Sequence, residues 1–276
     1  MVLPASNSNG TESNSSSSDC RIAVVIAARN AAPHISEALE SLARQTSLPD
    51  EVIVIDDGST DETASLVACF GKAIPQLALL REDDSIGISA ARNKANAVAG
   101  CEFIAVLDAD DLFDSNAIRR YRDFLSSHPD TDFVYAHTRV FSDHPEAGRP
   151  QLYPDFRSSR AGIRRTLGSP RLPMKHSSLL YRKVAIEKIG GYDETCRIKV
   201  DIELFLRCLQ NDLSIRKLDA IISYHRRHRH QISTRRFAGL PTYFKLIRRY
   251  EPNRLFRGFH TASRTGAEIT KFLLRG

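Results

Sequence analysis

Between Ile22 and Leu107 the chain alternates short apolar, β-branched runs with segments whose apolar residues recur at helical spacing. Ile22–Ala28, 51–55, 77–80 and 102–107 read as strands, each closed by polar or turn residues. Segment 33–45 carries Ile35, Leu39 and Leu42 on one helical face, 61–70 reads as a second helix, and 89–99 is an Ala-rich third helix ended by Gly100. Strands that alternate with helices in this way pair in parallel, because each crossover brings the chain back in the same direction. The expected class is α/β, with a mainly parallel sheet flanked by helices.

Beyond Leu107 the spacing predicts a helix over 115–127, a strand over 133–140, a strand over 177–181 and a helix over 183–189 that Gly190–Gly191 ends. A further helix is expected over 201–210, and 215–224 reads as two short strands or a bent one. Segment 144–173 is rich in Pro, Arg and Gly with little periodicity, and reads as a functional loop or lid. Residues 1–20 are Ser/Asn-rich and too polar to bury a core, so they read as a disordered tail. Residues 21–236 form one domain by this reading, and 237–276 a basic, partly amphipathic C-terminal segment.

The hydrophobic share, 42%, is ample for one core. Lys and Arg number 39 against 33 Asp and Glu, a net charge of +6. That excess is too modest to imply nucleic acid; a basic face equally suits phosphorylated small molecules or an anionic membrane. Five scattered cysteines without CxxC spacing read as reduced thiols rather than disulfides or a zinc site. No apolar run approaches a membrane span and the N-terminus lacks signal-peptide order, so a cytoplasmic protein is expected.

Chemistry gathers where the strands stop. Leu107–Asp108–Ala109–Asp110–Asp111 ends an apolar run in three acids, where ligand sites of open α/β sheets lie. Two of these carboxylates can hold a hard divalent cation beside a diphosphate. The other reading is that Asp110, Asp111 and Asp114 cap the following helix. Asp56–Asp57–Gly58–Ser59 repeats the pattern after the second strand, either as a turn or as an acceptor for a base or ribose. Gly87 through Asn93 opens the third helix, where backbone amides and Arg92 can meet an anion. There is no Walker loop and no GxGxxG after the first strand.

In order along the chain, Arg29–Asn30, Asp56 through Asp61, Gly87 through Asn93, and Leu107 through Asp111 resemble the successive motifs of glycosyltransferase family 2. Gly190–Gly191–Tyr192–Asp193–Glu194 resembles that family's GGFDE segment, and the likeness extends over about 21–233. The resemblance implies a single catalytic domain of GT-A fold that moves a sugar from a nucleotide-sugar to a hydroxyl acceptor with inversion. It places Asp57 and Arg92 at the nucleotide base, Asp108 near the ribose and metal, and Asp110 on Mn²⁺ or Mg²⁺. Where the family often has Pro-x-Tyr-Asn, this chain has Ala27–Ala28–Arg29–Asn30, so Ala27 and Arg29 are the expected base contacts, with the Arg29 guanidinium stacking in place of the aromatic ring. Asp201 matches the family's general base, with Val200 where a Glu is usual; alternatively it caps its helix. Arg226–Arg227–His228…Ser233 matches an Arg–Arg–His…Ser pattern that puts His228 on the metal or the diphosphate, whereas His225 and His230 read as part of a solvated basic loop.

The implied partners are a nucleotide-sugar donor and a saccharide or lipid-linked acceptor, without nucleic acid. Tyr243, Phe244, Leu246, Ile247 and Tyr250 form an apolar stripe between Lys245, Arg248 and Arg249, and Arg254, Phe256, Arg257, Phe259, Lys271, Phe272 and Leu273 follow. Such a segment either packs on its own domain or lies on the inner face of a membrane. The competing functions are a catalytically silent nucleotide-sugar binding module and a nucleotidyltransferase.

Overall fold

A computed structural model describes residues 20–169, 173–228 and 239–273, with side chains through 270. The expected N-terminal tail therefore lies outside the described residues, apart from Cys20.

The first strand, β1 (Ile22–Ala28), is buried on both faces. Ile22, Val24, Ile26 and Ala28 point to one layer, with Ile35, Leu39 and Leu42 of α1 (Ile35–Ala43) and Ile118, Tyr121 and Leu125 of α4 (Ala117–Ser127). Ala23 and Val25 point to the other, with Ala91 and Ala95 of α3 (Ile88–Val98) and Phe205 of α7 (Val200–Gln210). The period-2 alternation of a strand thus assigns each residue to one of two cores. Fully burying an Ile or Leu contributes about 1.5–3 kcal/mol, so these layers hold the sheet between its helices.

Among the described residues nine strands form one sheet. Its first part, β3 (Leu77–Glu82), β2 (Glu51–Asp57), β1 and β4 (Phe103–Val106), is parallel. Then β8 (Leu179–Arg182) pairs antiparallel with β4. Beyond it lie β6 (Phe133–Phe141), β9 (Ile215–Arg226) and β5 (Leu112–Phe113), with β7 (Arg149–Gln151) on β6. Beside β4, where the acidic run begins, β8 interrupts the common direction: β6 is antiparallel to β8 and so runs with β4, and β9 is parallel to β6.

The structure revises two expectations. Asp56 and Asp57 are not turn residues: β3 runs on to Glu82 and draws both into the ladder, Asp56 opposite Arg81 and Asp57 opposite Glu82. Segment 144–173 is not one loop. It holds a 3-10 turn (Pro145–Ala147), β7 and α5 (Ser159–Gly168), whose N-cap Ser158 accepts a hydrogen bond from the Ala161 amide. The helix escapes periodicity because its inward positions include Gly162 and Thr166: a Cβ on Gly162 would lie 3.0 Å from the Leu209 side chain of α7. Of the two readings of 215–224, the structure has the single strand, β9, which is irregular opposite Ala136–Thr138.

At the C-terminus α8 (Leu240–Tyr250) buries Tyr243, Leu246, Ile247 and Tyr250 in the protein's own core, which is the own-domain alternative for that stripe. Helix α9 (Arg254–Leu273) braces α5: Arg264 Nε donates to the Leu167 carbonyl at 2.8 Å, its second arm to Thr166 O, and Ser263 to Gly168 O. These bonds satisfy carbonyls that the end of α5 leaves without partners.

Candidate active site

The chain leaves β4 in a tight turn, with the Asp111 amide donating to Asp108 O at 3.0 Å. This turn fans three acids into different surroundings. Asp111 is 1% exposed and accepts from Ser177 Oγ at 2.5 Å, from the Arg226 amide at 2.9 Å and from His225 Nδ1 at 3.1 Å. It binds β9 and the turn before β8 to the end of β4. Neither Asp111 nor Asp110 caps α4, whose N-cap is Asn116; Asp114 accepts the Asn116 amide.

Asp108 is half-buried. Its Oδ1 accepts from the buried Arg92 at 2.7 Å and from His176 Nδ1 at 3.1 Å. Burial works to raise its pKa, but His176, Arg92 and His225 outweigh burial and hold the carboxyl well below the usual range. Asp110 faces His228, Nε2 to Oδ2 2.9 Å, and the His228 ring lies 4.7 Å from that of His34. Burial first, then the charges of Arg226 and His228, lower the His34 pKa.

At the neighbouring strand ends, Arg29 donates to Ser85 Oγ at 3.0 Å and Ser85 to Asp57 Oδ2 at 2.8 Å. The Asp57 carboxylate also takes the amides of Ile86, at 2.6 Å, and Gly87. These bonds pin the loop that opens α3, and so set where Arg92 points. Gly58 is required there: its φ is +65° and a Cβ would stand 2.7 Å from Ser85 N. Ala27 is half-buried beside Ile55 of β2. Ala27, Arg29, Asp57, Arg92, Asp108 and Asp110 are thus all set around the carboxyl ends of β1, β2 and β4, and His228 joins them through Asp110.

Asp201 sits in the first turn of α7. It does not cap the helix; the N-cap is Lys199, held at φ +65°. Among the described residues none donates a hydrogen bond to the Asp201 carboxylate. Its charge reaches Tyr153 and Tyr243: burial pushes the Tyr243 hydroxyl up to about 12, with Asp201 adding to the rise. Burial first, then the charges of Asp111 and Asp201, raise the Tyr153 hydroxyl.

Sequence reasoning missed two histidine roles. His225 is not in a solvated loop: its Nε2 faces Lys175 Nζ at 2.9 Å and its Nδ1 faces Asp111. The return of β9 past the end of β4 buries it. His176 gave no sequence signal, since its partner Asp108 lies far away in the chain. His230 and Ser233 lie outside the described residues.

Among the described residues no group of three or more His, Cys, Asp or Glu side chains is disposed to hold a metal. Asp110 and His228 nonetheless offer a carboxylate oxygen and an imidazole nitrogen side by side. That pair suits Mn²⁺ or Mg²⁺, ions often held by few protein ligands plus phosphate oxygens and water.

Parallel strands whose acid-tipped member β4 pairs with the antiparallel β8, with a helix N-terminus and a buried arginine beside it, define a GT-A nucleotide-binding fold. The sequence model for "Glycosyl transferase family 2" matches residues 23–190, and the chain belongs to that family of sugar-transferring enzymes. Among its relatives, the succinoglycan biosynthesis protein ExoU of Rhizobium meliloti (strain 1021) is 32% identical over 207 residues, 69% of this chain and 57% of ExoU. The chain therefore spans little more than half of that relative's length. A PGL/p-HBAD biosynthesis glycosyltransferase of Mycobacterium tuberculosis (strain ATCC 25177 / H37Ra) is 26% identical over 68% of this chain and 69% of its own. Among solved structures, S. aureus TarS 1-349 in complex with UDP-GlcNAc superposes with a TM-score of 0.69 at 19% identity, covering 91% of this chain and 73% of that one. Mannosyltransferase PcManGT from Pyrobaculum calidifontis, in complex with GDP-Man and Mn²⁺, gives 0.60 at 19% identity over 88% and 69%. At such identities the structural likeness speaks to the fold.

Proposed function

We propose that this protein moves a sugar from a nucleotide-sugar donor to a hydroxyl of a saccharide or lipid-linked acceptor, with inversion at the anomeric carbon. The carrying observation is a contrast among the acids. Asp57, Asp108, Asp110 and Asp111 are all engaged by donors, whereas the Asp201 carboxylate accepts no hydrogen bond from the described residues. Engaged carboxylates hold a ligand in place; a general base must be free to take a proton.

In this reading Asp201 accepts the proton of the acceptor hydroxyl as its oxygen attacks the anomeric carbon and the bond to the nucleotide diphosphate breaks. Asp108, set by Arg92, receives the ribose side of the donor. Ala27, Arg29 and Asp57 border the base, and Arg92 brings the positive charge of α3 toward the nucleotide. Asp110 and His228 would hold the divalent cation, which when bound neutralises charge on the departing diphosphate. TarS and PcManGT, with their UDP-GlcNAc and GDP-Man complexes, support a nucleoside diphosphate sugar as the donor class.

A lipid-linked acceptor would bring the protein to a membrane surface. No helix among the described residues is long and apolar enough to cross one. On α9, however, Leu255 is 85% exposed and Phe259 65%, one turn apart on the same face. Flotation with anionic vesicles tests this contact: co-flotation lost in Leu255→Asp supports it, and wild-type protein left at the bottom of the gradient removes it.

The transfer reading is tested by a screen of UDP-, GDP-, dTDP- and CMP-sugars with and without Mn²⁺, followed by thermal shift and nucleotide release. Stabilisation by one donor, with slow release of its nucleotide, is the expected result. No response to any donor defeats the reading, and binding without turnover turns it into a silent binding module. Retention of configuration in an isolated product defeats single displacement.

A further inference from the structure

His176 is a buried titratable side chain beside the end of β4 to which the reaction outlined above gives no task. It begins the 3-10 turn His176–Ser178 that leads into β8, and is 5% exposed. Its Nδ1 lies 3.1 Å from Asp108 Oδ1 and its Nε2 3.0 Å from the Tyr192 hydroxyl. The Tyr192 hydroxyl is 3.4 Å from that of Tyr181, which exchanges hydrogen bonds with Asn96 on α3 at 2.9 and 3.1 Å. Asn93, one residue after Arg92, holds the Tyr192 backbone through both its amide and its carbonyl, at 2.7 and 2.9 Å. A closed ring of side chains therefore runs Arg92, Asp108, His176, Tyr192, Asn93 and back along α3.

The chemistry of the ring fixes where one of its protons sits. An ionised carboxylate only accepts, so the ring nitrogen that faces Asp108, Nδ1, carries a proton. Both donors to Asp108 converge on Oδ1. No described side chain donates to Oδ2, so that oxygen is the one left for an incoming ligand. A carboxylate bonded at one oxygen from two directions cannot rotate about its Cβ–Cγ bond without breaking both bonds, and its second oxygen is thereby aimed.

We propose that His176 is a positioning residue for the donor site: its Nδ1–H, with Arg92, locks the Asp108 carboxylate so that Oδ2 is presented to the nucleotide-sugar. This rests on Asp108 as a donor contact, and it adds a residue that touches no substrate itself. Outer partners of this kind typically change affinity or activity by about 10–100-fold when lost.

Two substitutions separate positioning from mere packing. His176→Asn places an amide nitrogen near the position of Nδ1, which keeps the bond to Asp108 and loses the one to Tyr192. His176→Gln reaches the position of Nε2, which keeps Tyr192 and loses Asp108. The donor that the wild type turns over is used as probe with Mn²⁺, and donor KM, kcat and thermal midpoint are measured for all three proteins. The expected result is a donor KM raised about tenfold in His176→Gln and restored to within about threefold of wild type in His176→Asn, with similar losses of thermal midpoint. Equal KM values in the two variants, or KM changes that simply follow the midpoints, overturn the proposal. Nitrogen-15 imidazole spectra of the donor-free wild type judge it separately: a proton on Nδ1 supports it, and a proton on Nε2 alone overturns it. A wild type that turns over no donor refutes the transferase reading and leaves the spectrum to decide the role of His176.

Discussion

Asn93 joins α3 to the Gly190–Gly191–Tyr192 segment, and that junction can be measured. Gly191 has φ +66°, and a Cβ there would stand 2.7 Å from Asn93 Oδ1, the atom that accepts the Tyr192 amide. An alanine at 191 therefore carries two costs. The left-handed backbone costs about 1–2 kcal/mol. The amide of Asn93 must also swing away, abandoning its bonds to the Tyr192 amide, the Tyr192 carbonyl and Glu194, at a net cost of about 2 kcal/mol. Gly191→Ala should thus lose about 3 kcal/mol, and Asn93→Ala, which removes the same bonds, about 2 kcal/mol. The double variant cannot lose those bonds twice. It should fall about 3 kcal/mol, not about 5, for a coupling of about 2 kcal/mol. Gly190→Ala is the control: its φ is +90°, but the nearest atom to a Cβ is Arg207 Nη1 at 3.7 Å, so its effect should add to that of Asn93→Ala. Urea unfolding of the single and double variants gives the coupling directly. Additivity of Gly191→Ala and Asn93→Ala within about 0.5 kcal/mol would refute the clamp.

Asp201→Asn should lower kcat by about 10²–10⁴ while leaving donor affinity unchanged; an equal loss of donor binding in calorimetry would remove Asp201 from the role of base. Asp110→Ala should raise the Mn²⁺ concentration needed for half-maximal activity by about tenfold or more, and an unaltered metal titration would place the cation elsewhere. Arg264→Met removes the hydrogen bonds to Thr166 and Leu167 and a guanidinium 3.9 Å above the Tyr243 ring, a loss of about 3 kcal/mol; an unchanged midpoint in thermal melting would show that α5 does not need this brace. Burial lowers the pKa of His260 despite Glu251 3.6 Å away. The fold therefore favours its neutral ring: stability is complete above the unfolded value near 6.5 and is lost as pH falls through the lower folded value. His34 shares that sign, so His260→Met should reduce, not abolish, the fall in melting midpoint between about pH 7 and 5. An unchanged slope would refute the assignment.

The parallel half was legible because its strands are β-branched runs bounded by turn residues, and each local pattern agrees with the fold. Helix α5 was not, because it packs with glycine and threonine against Leu209 and so carries little hydrophobic periodicity. The acidic run shows the same limit at the site. Asp110 and Asp111 are chemically identical neighbours in sequence. Only the return of β9, more than a hundred residues later, buries Asp111 under the Arg226 amide and leaves Asp110 with His228. Likewise Asp201 could be placed near a helix start, but its release from capping depends on Lys199 adopting a left-handed backbone without a capping side chain. Pairings of this range are decided by tertiary packing, and no local signal carries them.

The acids are divided between an early and a late stretch of the chain, which makes them separable by substitution. Asp57 and Asp108 stand at the ends of β2 and β4, and Asp108 is braced by His176 and, behind it, Tyr192. Asp201 stands on a helix beyond residue 190, where the matched family stretch ends. A change on α7, α8 or α9 can therefore alter the surroundings of Asp201 without touching the bonds that set Asp57 and Asp108.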